Sequence, residues 1–348
     1  MKKKFGMVIG NPPYNDDTSG DNKTFAPPVY NILMDAAHKV ADKTVLITPA
    51  RFLFDAGATP KDFNRRMLND PHFKVLDYAP DAGKYFKGVD IEGGVAVTLY
   101  DNDKNFGAIG TFTPWQELNA IHQKVVVDNP DFKPLSEIMF SAEIYHFTNK
   151  MHEDFPDAAS RLSKGHAYDF KTNVFEKLPD ILLVDKPDDG RAYIKILGVT
   201  KLQRVYRWIR RDYVNAPAPL EKFKVFISNS FGRSNLGDEP GQLISPPLIG
   251  EPLVGNTQTF MTVGAFDTRA EVEACLAYVK SKFARVMLGI LKAIQNNPPS
   301  TWAKVPLQDF KSTSDIDWRS DVDAQLYRKY NLTATEIDFI EAHVKAMA

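Results

Sequence analysis

FGMVIGNPPY, residues Phe5 to Tyr14, is the stretch from which the fold is read. Phe5 to Gly10 is a short continuous apolar run ending in a turn, the pattern of a parallel strand buried on both faces of a sheet. Asn11 and two prolines stop it, because proline has no amide to donate and holds φ fixed. Downstream, Val29, Ile32, Leu33, Ala36, Ala37 and Val40 recur at i, i+3, i+4 spacing, which predicts a helix over Val29 to Val40 packed on that sheet. Thr44 to Thr48 predicts a second buried strand, stopped by Pro49. A helix around Lys61 to Leu68 follows, then strands at Phe73 to Tyr78 and Gly94 to Tyr100. Strands alternating with helices indicate an open α/β sheet, in which ligands bind beyond the carboxyl ends of the strands. Asn11, Pro12, Pro13 and Tyr14 therefore stand where chemistry is expected.

The chain has 348 residues and a formal net charge of -1, with 43% hydrophobic and 25% charged residues, enough for a buried core and about two domains. Disorder is excluded as its general state. No apolar run approaches the roughly 20 residues of a transmembrane helix, and Asn11, Pro12 and Pro13 break the short apolar stretch near the start, unlike a secretory signal. A single cysteine, Cys275, forbids an internal disulfide and a Cys-based zinc site and fits a reducing, cytoplasmic compartment. The histidines are dispersed, without HExxH or paired His/carboxylate spacing, so no metal site is expected. A net charge near zero leaves a nucleic-acid partner open and requires only that any basic surface be local.

The two prolines give the Pro12 carbonyl a fixed direction, and Asn11 adds a side-chain carbonyl. Together they present two acceptors to one planar NH2 group. Accepting both hydrogens draws the nitrogen lone pair out of conjugation as that nitrogen becomes tetrahedral, which an exocyclic amine requires before it can attack a methyl group. Tyr14 supplies a flat face on which an extruded base can stack. The plainer reading is a rigid turn after a strand; the combination of strand, Gly10, Asn11, Pro12, Pro13 and Tyr14 favours the chemical one.

On these residues the chain resembles the amino-methyltransferases that transfer a methyl group from S-adenosylmethionine to adenine N6 in DNA, particularly the large single-chain enzymes of restriction-modification systems. The likeness continues in VLITPARFLF (Val45 to Phe54), DAGKYFKGVDIEGGVAVTLYD, VGAFDT, WAKVPLQDF (Trp302 to Phe310), LYRKYNLT and IDFIEAHV. It spans nearly all of the chain, with NPPY the only catalytically specific motif. The resemblance implies a partial Rossmann-like methyltransferase sheet in residues 1–134, a mixed α+β target-recognition domain in 135–310 and a helical C-terminal tail in 311–348. It implies that Asn11 and Pro12 orient the target amine, with Pro13 and Tyr14 completing the motif. Phe86, with Tyr85 as the alternative, is the implied second partner stacking on a flipped base; ordinary core packing is the competing reading of Phe86. S-adenosyl-L-methionine is the implied methyl donor and double-stranded DNA the implied partner.

Enzymes of this order carry the cofactor site ahead of the NPPY strand, as a glycine-rich turn and an acidic residue on the next strand. Here the sequence opens at the NPPY strand, and Gly93-Gly94 reads as a hairpin turn. The chain alone is therefore expected to bind S-adenosylmethionine poorly and to need an N-terminal half or a second chain. The family's sheet order also makes Phe5 to Gly10 an apolar edge open to pairing. Methylation of a glutamine amide in protein, and a non-catalytic DNA-binding or assembly subunit with a relic site, are the competing functions.

Within the second region, KLQRVYRWIRRDY interleaves Lys201, Arg204, Arg207, Arg210 and Arg211 with Tyr206, Trp208 and Tyr213. Arginines of this kind contact phosphates or read guanine bidentately. Their spacing fits a helix and their aromatic and β-branched neighbours fit a strand, and a merely solvated charged face is the alternative. SNSFGRSN (Ser228 to Asn235) is a second candidate, through Arg233 and Asn235. A long helix is predicted from Thr268 to Ala293, with a Thr268/Glu271 capping box and Lys280, Lys282, Arg285 and Lys292 on its polar side. The tail from Asp321 predicts two short helices, the last opened by a Thr333/Glu336 capping box.

Overall fold

The computed structural model describes residues 4–16, 26–215, 217–232, 236–237, 239–292 and 295–347. The chain divides into two compact units, Met1–Asn119 and Ala120–Ala348, so the division falls earlier than residue 134 and the tail after 311 belongs to the second unit. Both are mixtures of helices and small open sheets.

Among the described residues the first unit holds four strands, β1 (Phe5–Gly10), β2 (Ala41–Pro49), β3 (Phe73–Ala79) and β4 (Val95–Asp101), in the order β1-β2-β4-β3. Helix α1 (Tyr30–Val40) joins β1 to β2, and α2 (Lys61–Asn69) precedes β3. β1 pairs parallel with β2, and β4 runs antiparallel to both β2 and β3. Hence β1, β2 and β3 point the same way and end on one rim. The predicted elements are all present.

Two expectations about their surroundings fail. α1 buries Tyr30, Asn31, Met34 and His38, not the Val29/Ile32/Leu33/Ala36 row. In a helix this rich in apolar residues two stripes compete, and the buried one is the row that gives His38 a flat partner: its ring stacks on Tyr100 at 4.2 Å and 13°. Ile32 and Leu33 face outward. β1 is also not buried on both faces, since Phe5, Met7 and Ile9 are 55%, 52% and 72% exposed. It is the edge strand of its sheet, as the resemblance implied. Its outward residues share a face with Val45 and Ile47 of β2 and Val97 and Leu99 of β4 by register. The opposite face carries the core, where Tyr30, Met34, Leu46, Phe52, Phe73 and Ala96 cluster.

In the second unit, strands Leu248–Gly250, Phe223–Ser228, Phe260–Phe266 and Met139–Phe140 form one antiparallel sheet. Tyr193–Thr200 and Gln203–Arg210 form a hairpin, with Val254–Asn256 parallel on its inner side. KLQRVYRWIRRDY is therefore largely strand, not helix: Val205, Arg207 and Ile209 share one face, where Val205 and Ile209 join a hydrophobic cluster, and Arg204 and Arg210 take the other. The predicted helix Thr268–Ala293 is two, Arg269–Lys280 and Lys282–Gly289, and Ala293 lies outside the described residues. Ser281, at φ -58° and ψ 149°, breaks the helix and caps the next one, accepting from the Ala284 amide. Asp323 accepts from the amides of Lys282 and Phe283, satisfying donors a continuous helix would have used. Both capping boxes form as expected. Among the described residues no helix is long and apolar enough to cross a membrane.

Beneath Gly250, Lys224 is fully buried on strand Phe223–Ser228 and donates to the carbonyls of Pro219 at 2.8 Å and Leu220 at 3.1 Å. Burial lowers its pKa from 10.5 to about 7, with Glu221 and Glu251 opposing the shift. A neutral amine still has two N–H groups for both bonds. Between pH 7 and 10.5 the unfolded chain holds this proton and the folded chain does not, so stability rises with pH across that window. Relative to Lys224→Met, the wild-type chain is expected to gain about 2 kcal/mol from pH 7 to 9. Urea denaturation at a series of pH values measures this, and parallel pH profiles for the two proteins would contradict it.

Candidate functional site

The rim where β1, β2 and β3 end collects four segments: Asn11 to Tyr14, Ala50 and Arg51, Pro80 to Phe86, and Glu92 to Gly94. The elbow after β1 lies open. Asn11 and Pro13 are exposed, Pro12 and Tyr14 half-buried. The backbone beyond it is tied down, as the Tyr14 carbonyl accepts from the Val29 amide at 3.0 Å and the Pro27 carbonyl from the Asp16 amide at 2.9 Å. The elbow is thereby held between a strand on one side and the entry to α1 on the other, while the Asn11 amide meets no partner among the described residues. Tyr14 is the exception to this openness. Its hydroxyl is buried without a hydrogen-bond partner, and desolvation raises its pKa.

Phe86 comes to the same place from the far side of the sheet. Its ring lies edge-on to that of Tyr14, with centroids 6.4 Å apart at 75°. It also packs against Ala79, Ala82 and Val95, the core packing that was the competing reading of this residue. Tyr85 is more exposed and engaged elsewhere, its hydroxyl donating to Asp77, which also takes Lys84 Nζ at 2.6 Å. The Lys84 bond, then the Tyr85 bond, hold Asp77 below the usual carboxylate range. Asp77 and Lys84 pin the turn that carries Phe86, and neither carried a signal in the sequence. Arg51, two residues past the end of β2, was also missed. Its stem fills the space beside Gly57 and Gly93, and its Nη1 lies 3.5 Å from Glu92.

Gly93 and Gly94 have φ of +85° and +72° and turn the chain into β4. They do not form a cradle for a methyl-donor cofactor. A Cβ on Gly93 would meet Arg51 Cγ at 2.5 Å, and one on Gly94 would meet the Ala79 carbonyl at 2.1 Å, so both places are filled by the protein itself. The Gly93-Gly94 turn therefore leaves no room for S-adenosylmethionine. Among the described residues there is also no group of three or more His, Cys, Asp or Glu able to hold a metal ion.

In the second unit the basic segment is largely committed to the protein. Arg204 donates to Ser245 Oγ at 3.2 Å and to the Pro246 carbonyl at 2.6 Å. Arg207 lies over Phe175, 5.7 Å from its centroid, and donates to the Tyr206 carbonyl. Arg210 is held by Asp154 and Asp212 and lies over Tyr213. Arg211 reaches the Val214 carbonyl and Glu221. Lys201 alone of the group projects freely, from the turn of the hairpin. Lys195 and Lys186, which the sequence reading passed over, flank Trp208 at 4.8 and 5.7 Å from its ring centroid. Arg233 and Asn235 lie outside the described residues. Arg285 is buried against the carbonyls of Lys280 and Ser281, and Lys282 pairs with Glu341, so neither forms a basic face.

Residues 1–86 match the family model described as Eco57I restriction-modification methylase. The rim elbow, β1, β2 and the Phe86 turn all lie within that match. No curated protein matches the chain. Among solved structures the chain is similar to one described as "ATP-dependent Type ISP restriction-modification enzyme LlaBIII bound to DNA", at 12% identity and a TM-score of 0.30. The likeness covers 87% of this chain and 28% of that one; the chain thus spans well under a third of that enzyme.

Gly94 is the position at which the rim tolerates least. Alanine there would require a left-handed backbone and displace the Ala79 carbonyl, and Ala79 pairs with Val95 at the end of β3. Gly94→Ala is expected to destabilise the first unit by about 3 kcal/mol and to loosen the Phe86 turn. Chemical denaturation gives the first quantity, and an unchanged midpoint would show that the rim can shift at no cost.

Proposed function

We propose that this chain is the catalytic and target-recognition part of a DNA adenine-N6 methyltransferase of a restriction-modification system, working in the cytoplasm. The observation that carries the proposal is the open Asn11-Pro12 elbow beside the Tyr14/Phe86 aromatic pair, inside the segment that matches restriction-modification methylases. An adenine extruded from the duplex would place its N6 amino group between the Asn11 side-chain carbonyl and the Pro12 carbonyl. Two acceptors on one NH2 hold it in the plane of attack and favour the tetrahedral nitrogen. Pro13 keeps the elbow rigid. Tyr14 and Phe86 grip the base faces, with Asp77 and Lys84 fixing the turn that carries Phe86. No dedicated base is required for the proton lost from nitrogen, which leaves to water.

The methyl donor, S-adenosylmethionine, needs residues beyond those described here. We assign them to an N-terminal half or a second chain that pairs with β1 and covers Phe5, Met7 and Ile9, because an open, apolar parallel edge is the natural place for another strand. The second unit reads double-stranded DNA. Lys201 at the hairpin turn, and Lys186 and Lys195 beside Trp208, are the cations it offers there, and Arg204, Arg207, Arg210 and Arg211 hold the surface that presents them.

In the enzyme reconstituted with its cofactor-bearing half, Asn11→Ala is expected to lower adenine methylation by about 10³-fold while DNA affinity stays within a factor of two. Methylation is followed with tritiated donor on duplex DNA and on a glutamine peptide. Undiminished turnover would remove Asn11 from the chemistry, and transfer to the peptide in place of DNA would replace the substrate.

A further inference from the structure

The hairpin of the second unit ends in a feature that its fold does not explain. Thr200 pairs with Gln203, so Lys201 and Leu202 form a two-residue turn, and both have positive φ, 49° and 65°. A turn of this kind favours Asn-Gly, because a side chain with a Cβ is strained in the left-handed region. Leu202 carries a second penalty. It is 98% exposed, so its branched apolar end touches nothing. One exposed leucine is ordinary; a fully exposed leucine in a strained backbone, where asparagine or glycine would relieve both defects, is not.

The tip is firmly mounted. Ile194, Ile196 and Ile209 enter one hydrophobic cluster and Leu197 another. Val254–Asn256 pairs along the inner strand, and Leu183 and Trp208 exchange backbone hydrogen bonds on the outer one. Arg204, just below the turn, is fastened to Ser245 and Pro246. In the chain Leu202 stands between Lys201 and Gln203, both exposed. A rigid apolar point next to a cation and an amide matches a duplex that offers an apolar gap between base pairs, a nearby phosphate and polar base edges.

We infer that Leu202 is a wedge: when the second unit binds double-stranded DNA, Leu202 enters the base stack from a groove and Lys201 contacts the adjacent phosphate. The inference rests on the DNA-binding reading above and adds to it a residue that distorts the duplex. Inserted apolar side chains unstack and kink DNA, and local unstacking lowers the cost of extruding a base.

The test uses the 348-residue chain and a pool of random-sequence 40-bp duplexes, since it requires no methyl transfer. Retained duplexes are treated with permanganate, which oxidises unstacked thymines, and the modified positions are read by sequencing. Wild-type protein is expected to produce hyperreactive thymines at a fixed offset from the sequence it enriches. Leu202→Asn, which suits the turn, is expected to enrich the same sequence, to melt at the same or a higher temperature, and to lose that reactivity at least fivefold; Leu202→Met is expected to keep it. Thymines opposite an extruded adenine react through the first unit and persist in Leu202→Asn, which separates the two signals. Equal reactivity in wild type and Leu202→Asn, or none in either, overturns the wedge while leaving DNA binding standing. If wild type retains no duplex, the DNA-binding reading falls and the wedge with it.

Discussion

The parallel ladder between β1 and β2, running from Phe5 opposite Ala41 to Gly10 opposite Leu46, holds the elbow at the rim. β1 has a neighbour on one side only among the described strands, so this single ladder fixes where Asn11 stands. Past the elbow the chain is caught again, by the backbone bonds of Tyr14 and Asp16 to the segment before α1. Anchored before and after, two prolines leave the elbow almost no freedom, and the direction of its carbonyls is decided by the sheet. Had β1 run antiparallel, the same tetrapeptide would sit at the opposite end, away from Arg51, Gly94 and Phe86.

The order of elements in the first unit was legible because its strands are short apolar runs closed by Pro49, Asn11 or glycine, and those signals are local. Which face of α1 is buried was not legible, because Tyr30/Met34/His38 and Ile32/Leu33/Ala36 are both usable stripes and the stack of His38 on Tyr100 decides between them only once β4 is in place. The break at Ser281 was hidden for the same reason: its cap comes from Asp323, more than forty residues away in the chain. Asn11 to Tyr14 stood out as a rare pattern at a strand end and Phe86 through the family likeness, and Tyr14 and Phe86 do meet at one rim. Asp77, Lys84 and Arg51 are common residue types whose positions matter only after the sheet brings three loops together.

The basic segment shows how a charge run misleads. Five cations in eleven residues suggest a surface waiting for phosphate, yet Arg204, Arg207, Arg210 and Arg211 are each matched by carbonyls, carboxylates or rings of the protein. An arginine already bidentate to aspartate, as Arg210 is to Asp212, binds DNA only by giving up a charge-assisted pair. The net charge of -1 agrees with this pattern. Of the five cations in this segment only Lys201 has no partner among the described residues, so on the proposed reading sequence selectivity would owe more to shape and local distortion than to this charge run.

The uncovered face of β1 links the two halves of the proposal energetically. Burying side chains as exposed as Phe5, Met7 and Ile9 is worth about 1–2 kcal/mol each, and a new strand on that edge would add backbone hydrogen bonds along the whole of β1. The same addition would fix β1 from both sides. On the proposed reading, the half that carries the methyl donor would therefore dock beside an acceptor site that its two prolines and the β1–β2 ladder already hold in place.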